Sequence, residues 1–261
     1  MAAVRLLQLT DTHVTAAPAG DDEPPTFADA VRDLSGRTTA ESLELVLDRV
    51  LDDHRPDLVV HTGDVVDDAR PASYERAADL LAGIEVPTLL TPGNHDDVTA
   101  MAPRLAGSTR EGLARLHVGG WEVVLVDSQV DGAAHGEIDA RVLAHLDETL
   151  AATDRHVVVG LHHPPLTVCG HPDCSLRNAS ELLAVFDRHA NVRGVVSGHL
   201  HVAEDLERAG VPYLLSPSTC HQLTHRHPLE EHNNDPTPPG ARTLVLHDDG
   251  TVDTTVSWIG G

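Results

Sequence analysis

The sequence predicts an α/β protein with a largely parallel sheet and a second, more antiparallel set of strands. Short Val/Leu runs alternate with longer amphipathic stretches through the middle of the chain, which is the pattern of βαβ units. Late in the chain, strand-like runs follow one another with no helix between them. A third observation sets the scale. Leu, Val, Ile and Phe make up roughly a quarter of the 261 residues, enough to bury a sizeable core. Aromatics are only 2%, so Val, Leu and Ala must fill it. No linker or internal repeat is visible, and residues 1–261 read as one domain.

Val4–Thr10 reads as a buried strand. Thr39–His54 is a helix: Leu43, Val46, Leu47, Val50 and Leu51 fall at helical spacing, and Thr38-x-x-Glu41 makes a capping box at its start. Asp57–His61 is the next strand, Ala72–Ala82 a helix and Val86–Leu90 a third strand. The Gly119-Gly120 turn makes Trp121–Asp127 a strand, with Leu116–Val118 as its hairpin partner. Ile138–Leu150 and Leu182–Arg188 are helices; His156–Leu161, Val192–Val196 and Val211–Leu215 are strands. Arg242–His247 and Thr251–Ser257 form a hairpin through Asp248-Asp249-Gly250. Ala16–Pro25 and Pro228–Gly240 are loops; the first is acidic and reads as solvated, with the rim of a site as the alternative.

The chain carries 41 acidic residues against 18 basic ones, a formal charge of −23. All 18 basic residues are Arg, so a Lys base, a Schiff-base Lys and a Walker-type phosphate Lys are excluded. The acid excess is a solubility or high-salt adaptation, and it disfavours binding to nucleic-acid polymers or anionic membranes. No stretch approaches the ~18 apolar residues of a membrane span, and the N-terminus lacks the pattern of a signal peptide. Three cysteines, Cys169, Cys174 and Cys220, are too few for a disulfide framework, which points to the cytoplasm.

Metal-ligand residue types recur in five places, each just after an expected strand. These are Asp11-Thr12-His13, Gly63-Asp64, Gly93-Asn94-His95-Asp96, His162-His163 and Gly198-His199-Leu200-His201. Sites in open α/β sheets form at the carboxyl ends of strands, so five strand ends aim Asp, His and Asn into one region. Carboxylate, imidazole and amide oxygen suit first-row divalent or trivalent ions. Any one of these groups alone would read as a turn or a hydrogen-bonded core residue.

The series resembles the calcineurin-like metallophosphoesterase superfamily. Gly63-Asp64-Val65-Val66-Asp67, Gly93-Asn94-His95-Asp96-Asp97, His162-His163-Pro164-Pro165 and Ser216-Pro217-Ser218-Thr219-Cys220 resemble, more narrowly, its class III cyclic nucleotide phosphodiesterases. The resemblance implies a four-layer α/β/β/α sandwich with two mixed sheets and two metal ions, Mn, Fe or Zn. It implies Asp11, His13, Asp64 and His201 on the first ion, and Asp64, Asn94, His162 and His199 on the second, with Asp64 as the bridge. Of His162 and His163, it favours His162. The implied reaction opens 3′,5′-cyclic AMP to 5′-AMP by attack of a hydroxide shared between the ions. His95 serves the leaving group, and Asp67 or Asp96 orients it unless these two cap the following helix. Asn94, His95 and His221 contact substrate. The same ion pair serves glycerophosphodiesterases, 2′,3′-cyclic nucleotide phosphodiesterases and phosphomonoesterases, and a non-catalytic scaffold of this fold is a remote alternative. The partner is a small phosphodiester, the chain a monomer or homodimer.

Other groups stay open. Cys169 and Cys174, with His171 between them, read as a reduced loop pair, with a disulfide or a metal site as alternatives. His221, His225 and His227 read as a His-rich surface loop or as the lining of a base or sugar pocket. His61 reads as a hydrogen-bonded core residue, and Trp121 and Trp258 as packing residues. Thr15–Asp33, Leu166–Asn178 and Thr219–His227 are the candidate pocket rim.

Overall fold

The structure is a computed structural model that describes residues 3–16, 35–166, 169, 174–224 and 233–260. Most of the first loop and first rim segment, His171, His225, His227 and part of the 228–240 loop lie outside the described residues.

Thirteen strands are described, and eleven of them build two sheets. In the first, β1 (Val4–Leu9) lies between β12 (Gly240–Leu246) and β2 (Leu58–His61), with β13 (Val252–Trp258) beyond β12 and β3 (Thr88–Leu90) beyond β2. β1, β2 and β3 run parallel, whereas β12 and β13 run antiparallel to their neighbours. The second sheet has the order β4 (Leu113–Val118), β5 (Trp121–Val126), β6 (His156–Leu161), β7 (Val192–Ser197), β9 (Val211–Leu215), β8 (Glu204–Arg208). Its four central strands are parallel and both its edges antiparallel. β10 (Gln222–Thr224) and β11 (Asn233–Asp235) pair with each other.

Apolar residues on both faces of the central strands make each sheet a buried layer. Leu6, Leu58, Val60 and Leu244 of the first sheet meet Val123, Leu125, Val158 and Val196 of the second. On its other face the first sheet packs Leu7, Leu9 and Val59 against α1 (Thr39–His54) and α2 (Pro71–Leu81), through Leu43, Val46, Val50, Tyr74 and Ala77. The second sheet packs Val124, Val126, Val157 and Val159 against α4 (Ala140–Ala152) and α5 (Ala179–Phe186), through Leu143, Leu146, Leu182 and Phe186. The four layers are therefore helix, sheet, sheet, helix. A one-turn helix, α3 (Val98–Met101), follows β3. The capping box is formed: the Glu41 amide donates to Thr38 Oγ1 at 3.2 Å, and the Thr38 amide to Glu41 Oε2 at 2.8 Å.

The structure corrects several expectations. The late strands do not form a sheet of their own: β8 and β9 extend the second sheet, and β12 and β13 complete the first. β9 pairs with β7 and β12 with β1, so each late hairpin adds to a sheet that the earlier strands began. The Leu116–Val118 strand begins at Leu113, and the helices at Ala140 and Ala179 begin two residues later and three residues earlier than the periodicity implies. The 228–240 loop contains β11. Trp121 is fully buried, but Trp258 is 42% exposed on the outer edge strand and packs little. Cys169 and Cys174 are joined by a disulfide and not reduced; the segment brings their Cα atoms to 6.0 Å, within bridging range.

Candidate metal centre

Each chemical group sits where a parallel strand ends. Asp11 and His13 follow β1, Asp64 follows β2, Asn94 and His95 follow β3, His162 follows β6, and His199 and His201 follow β7. Asp11, His13, Asp64, His199 and His201 all adopt positive φ, between 45° and 71°. Among the described residues nine non-glycine positions do so, and these five are the majority. Left-handed backbone is costly for a residue with a Cβ, and such strain concentrates at functional sites. Three glycines make room for the turns. A Cβ on Gly63 would lie 2.5 Å from His162 Nδ1, one on Gly93 2.2 Å from Asp64 Oδ1, and one on Gly198 2.6 Å from Asp11 Oδ2.

Main-chain and carboxylate oxygens set the histidine tautomers. His162 Nδ1–H donates to the Thr62 carbonyl at 2.7 Å, His201 Nδ1–H to the His221 carbonyl at 3.0 Å, and His13 Nδ1–H to Asp67 Oδ1 at 3.1 Å. In the neutral rings this leaves a lone pair on each Nε2. The Nε2 atoms of His13 and His201 lie 3.2 Å apart, and Asp11 Oδ1 is 3.3 Å from that of His201. Two facing lone pairs need a cation between them. On the other side His162 Nε2 is 3.1 Å from Asn94 Oδ1 and 3.3 Å from Asp64 Oδ2. Ligands on one first-row ion, with bonds of about 2.1 Å, stand about 3.0–3.4 Å from each other. The donor sets fit. Among the described residues, Asp11–His13–His201, Asp11–Asp64–His162 and His162–His163–His199 are groups that could hold an ion.

Asp64 Oδ2 also lies 3.7 Å from His13 Nε2, so one oxygen faces both sides. Its other oxygen accepts the His95 amide at 2.8 Å. Burial pushes the Asp11 and Asp64 carboxyls up, yet the imidazoles beside them hold both below the usual range. Burial pulls His162 down, but Asp64 lifts it to about 9. His95 is also pulled down by burial; its hydrogen bond to Asp67 and the charges of Asp64 and Asp67 raise it to about 10.

The mouth of the site is formed by Asn94, His95 and His199, which are partly exposed, while Asp11, His13, Asp64, His162 and His201 are buried. Asp67 stands 3.2 Å from His95 Nδ1 and contacts His13 as well. It caps no helix. Asp96 does not reach His95; it accepts the amides of Val65, Val66 and Gly93 and the Tyr74 hydroxyl, tying two site loops together. The cap of α3 is Asp97. His221 is buried against His201, ring centroids 4.5 Å apart, and is not part of a surface loop. His163 is buried with Nδ1 2.9 Å from Ser128 Oγ, and its ring packs on those of His162 and His199. His61 is the expected core histidine, bonded to Thr12 and to the Gly63 amide.

Thr62, Tyr74 and Gln129 also shape the site, and the sequence reading missed them. Gln129 follows the end of β5, so the strand-end rule that found the others would have reached it.

The calcineurin-like phosphoesterase profile matches residues 4–203. The chain belongs to this family. Among characterised phosphoesterases, it is 38% identical to the 3′,5′-cyclic adenosine monophosphate phosphodiesterase CpdA of Escherichia coli K12, over 98% of this chain and 90% of that protein. It is 35% identical to a 3′,5′-cyclic-nucleotide phosphodiesterase of Nostoc, over 97% of this chain and 91% of that one. The fold resembles a dimetal phosphatase from Danio rerio, TM-score 0.69 at 16% identity, over 100% of this chain and 97% of that one. No helix among the described residues of this phosphoesterase is long and apolar enough to cross a membrane.

Proposed function

We propose that this phosphoesterase hydrolyses 3′,5′-cyclic AMP to 5′-AMP with two first-row metal ions, acting as one unit over residues 1–261. The observation that carries the reading is the pair of donor clusters sharing Asp64, with His95 held on Asp67 at their mouth. The identity to cyclic AMP phosphodiesterases supports the substrate. Asp11, His13, Asp64 and His201 would hold one ion, and Asp64, Asn94, His162 and His199 the other. Bound there, the ions supply the electrophile that polarises the phosphodiester and the activated water that attacks it.

The remaining work falls to side chains. Thr62, Asp67 and the His221 carbonyl hold the ligand rings in the tautomer that presents Nε2. Asn94 and His95, at the mouth, contact the substrate. His95 keeps Nδ1–H on Asp67, so its titrating proton sits on Nε2, where it is given to the departing 3′ oxygen. His221 acts through its carbonyl on His201.

The test is hydrolysis of cyclic AMP by purified protein loaded with Mn²⁺, Fe²⁺ or Zn²⁺, beside 2′,3′-cyclic AMP, a glycerophosphodiester and a phosphomonoester. We expect cyclic AMP to give the highest kcat/KM. Asn94→Ala and His199→Ala should each lower it at least ~100-fold, with loss of about one ion per chain. A higher kcat/KM on any of the other esters would replace the substrate; near-wild-type rates in either variant would break the ligand set.

A further inference from the structure

Gln129 belongs to the second sheet, on the loop that leaves β5, whereas the Gly93–Asp96 loop belongs to the first. The Gln129 side-chain amide crosses between them. Its Nε2 donates to the Gly93 carbonyl at 2.9 Å and also to the Asp96 carbonyl. These two carbonyls bracket Asn94 and His95. The amide has two N–H groups, and here each has one acceptor. Gln129 is itself fixed at its main chain, where its amide donates to Asp127 Oδ1 at 2.8 Å.

The loop's other main-chain anchors, and that of the His95 ring, come from its own sheet: the His95 amide on Asp64, the Gly93 amide on Asp96, and His95 Nδ1 on Asp67; the Asn94 side chain faces His162 of the second sheet. Among the described hydrogen bonds, Gln129 is the one side chain of the second sheet that bonds to the main chain of this loop. The second sheet also carries His162, His199 and His201, three of the seven donor residues. The distance from His95 to a substrate seated between the sheets therefore depends on a tie from one sheet to the other.

We propose that Gln129 is a positioning residue that sets the reach of His95 toward the leaving oxygen. The inference rests on the reading of His95 as the proton donor. As the P–O3′ bond breaks, its electron pair goes to O3′ and the proton on His95 Nε2 joins it. Asn94 has its own link to His162, so slackening the loop displaces the proton donor more than the amide ligand. A shift of about 1 Å in a reacting group can lower a rate ~100-fold.

The experiment compares Gln129→Leu, which keeps the bulk and loses the donor, with Gln129→Lys, which restores one. Gln129 lines a cavity of about 850 Å³, so both side chains have room. Cyclic AMP leaves through an alkoxide that needs a proton; bis(p-nitrophenyl) phosphate leaves through a phenolate that does not. For Gln129→Leu we expect kcat on cyclic AMP to fall ~10–100-fold, with KM, bound metal and the rate on the nitrophenyl ester within about threefold of wild type. Gln129→Lys should recover most of the lost kcat. If the Leu variant does not fold, Gln129→Met is read in the same way. Equal losses on both substrates, no loss, or no recovery with Lys would overturn the proposal. His95→Ala separates the two claims. If it lacks the difference between substrates, the reading of His95 fails. If it shows the difference and Gln129→Leu does not, the role of Gln129 alone fails.

Discussion

Asp67 touches both a ring that faces the donor cluster and the ring that faces the substrate, so its charge acts twice. Its carboxylate is one of the groups that raise His95 to about 10 against the pull of burial. A raised histidine is protonated below that value and loses its proton as the pH climbs through it, so a reaction that needs the proton fails on the alkaline side. Asp67→Asn keeps an oxygen acceptor for both rings and removes the charge. The alkaline limb of kcat on cyclic AMP should move to lower pH by about one unit, measured between pH 6 and 10. Bound cations lower His95 in both proteins and leave the direction of the difference intact. An unmoved limb would detach His95 from Asp67. Residue types were legible in the sequence because metal chemistry needs Asp, His and Asn. What fixes their tautomers was not: the carbonyls of Thr62 and His221 belong to the main chain, which carries no side-chain signature.

At the level of elements, the site is a set of strand-end turns, and the glycines in them are spaces for ligands. Gly93→Ala would drive a methyl into Asp64, and Gly63→Ala into His162, whereas a Cβ on Gly120 meets nothing within 4 Å. Gly93→Ala and Gly63→Ala should each lose most bound metal and at least ~100-fold in rate, while Gly120→Ala keeps both within about twofold; metal analysis and the cyclic AMP assay read this out. Core strands and helices were legible because Val/Leu runs and helical spacing mark burial. β8 was not. Its sequence, Glu-Asp-Leu-Glu-Arg, alternates partly buried and exposed positions but offers no β-branched or aromatic residue. α3 is a single turn, too short for a period to show.

Across the whole molecule, the donor atoms are divided between two sheets, so the centre is only as well formed as their alignment. Gln8 on β1 helps set it. Its Nε2 donates to Thr62 Oγ1 at 2.9 Å in its own sheet and to the Ser197 carbonyl at 3.1 Å in the other, and its Oε1 accepts the Ser216 hydroxyl. All four groups are buried, so Gln8→Leu strands polar atoms without water and should lower stability by about 2–4 kcal/mol, measured by urea unfolding of metal-free protein. Metal affinity should fall with it, because Thr62 also holds His162. The four layers were legible from the resemblance. The split of the late strands between both sheets was not, since nothing local in a strand names its neighbour.

That split has a consequence for how the molecule comes to exist. β1 is flanked by β2 on one side and by β12 on the other, 231 positions of chain separating Leu9 from Gly240. A ribosome supplies β2 long before β12. Until β12 emerges, β1 therefore presents a row of unpaired amides and carbonyls, open to any neighbouring strand. A chain arrested before Gly240 is not a shorter hydrolase. It is a sheet that stops at β1 as a long open edge, and self-association is its expected fate.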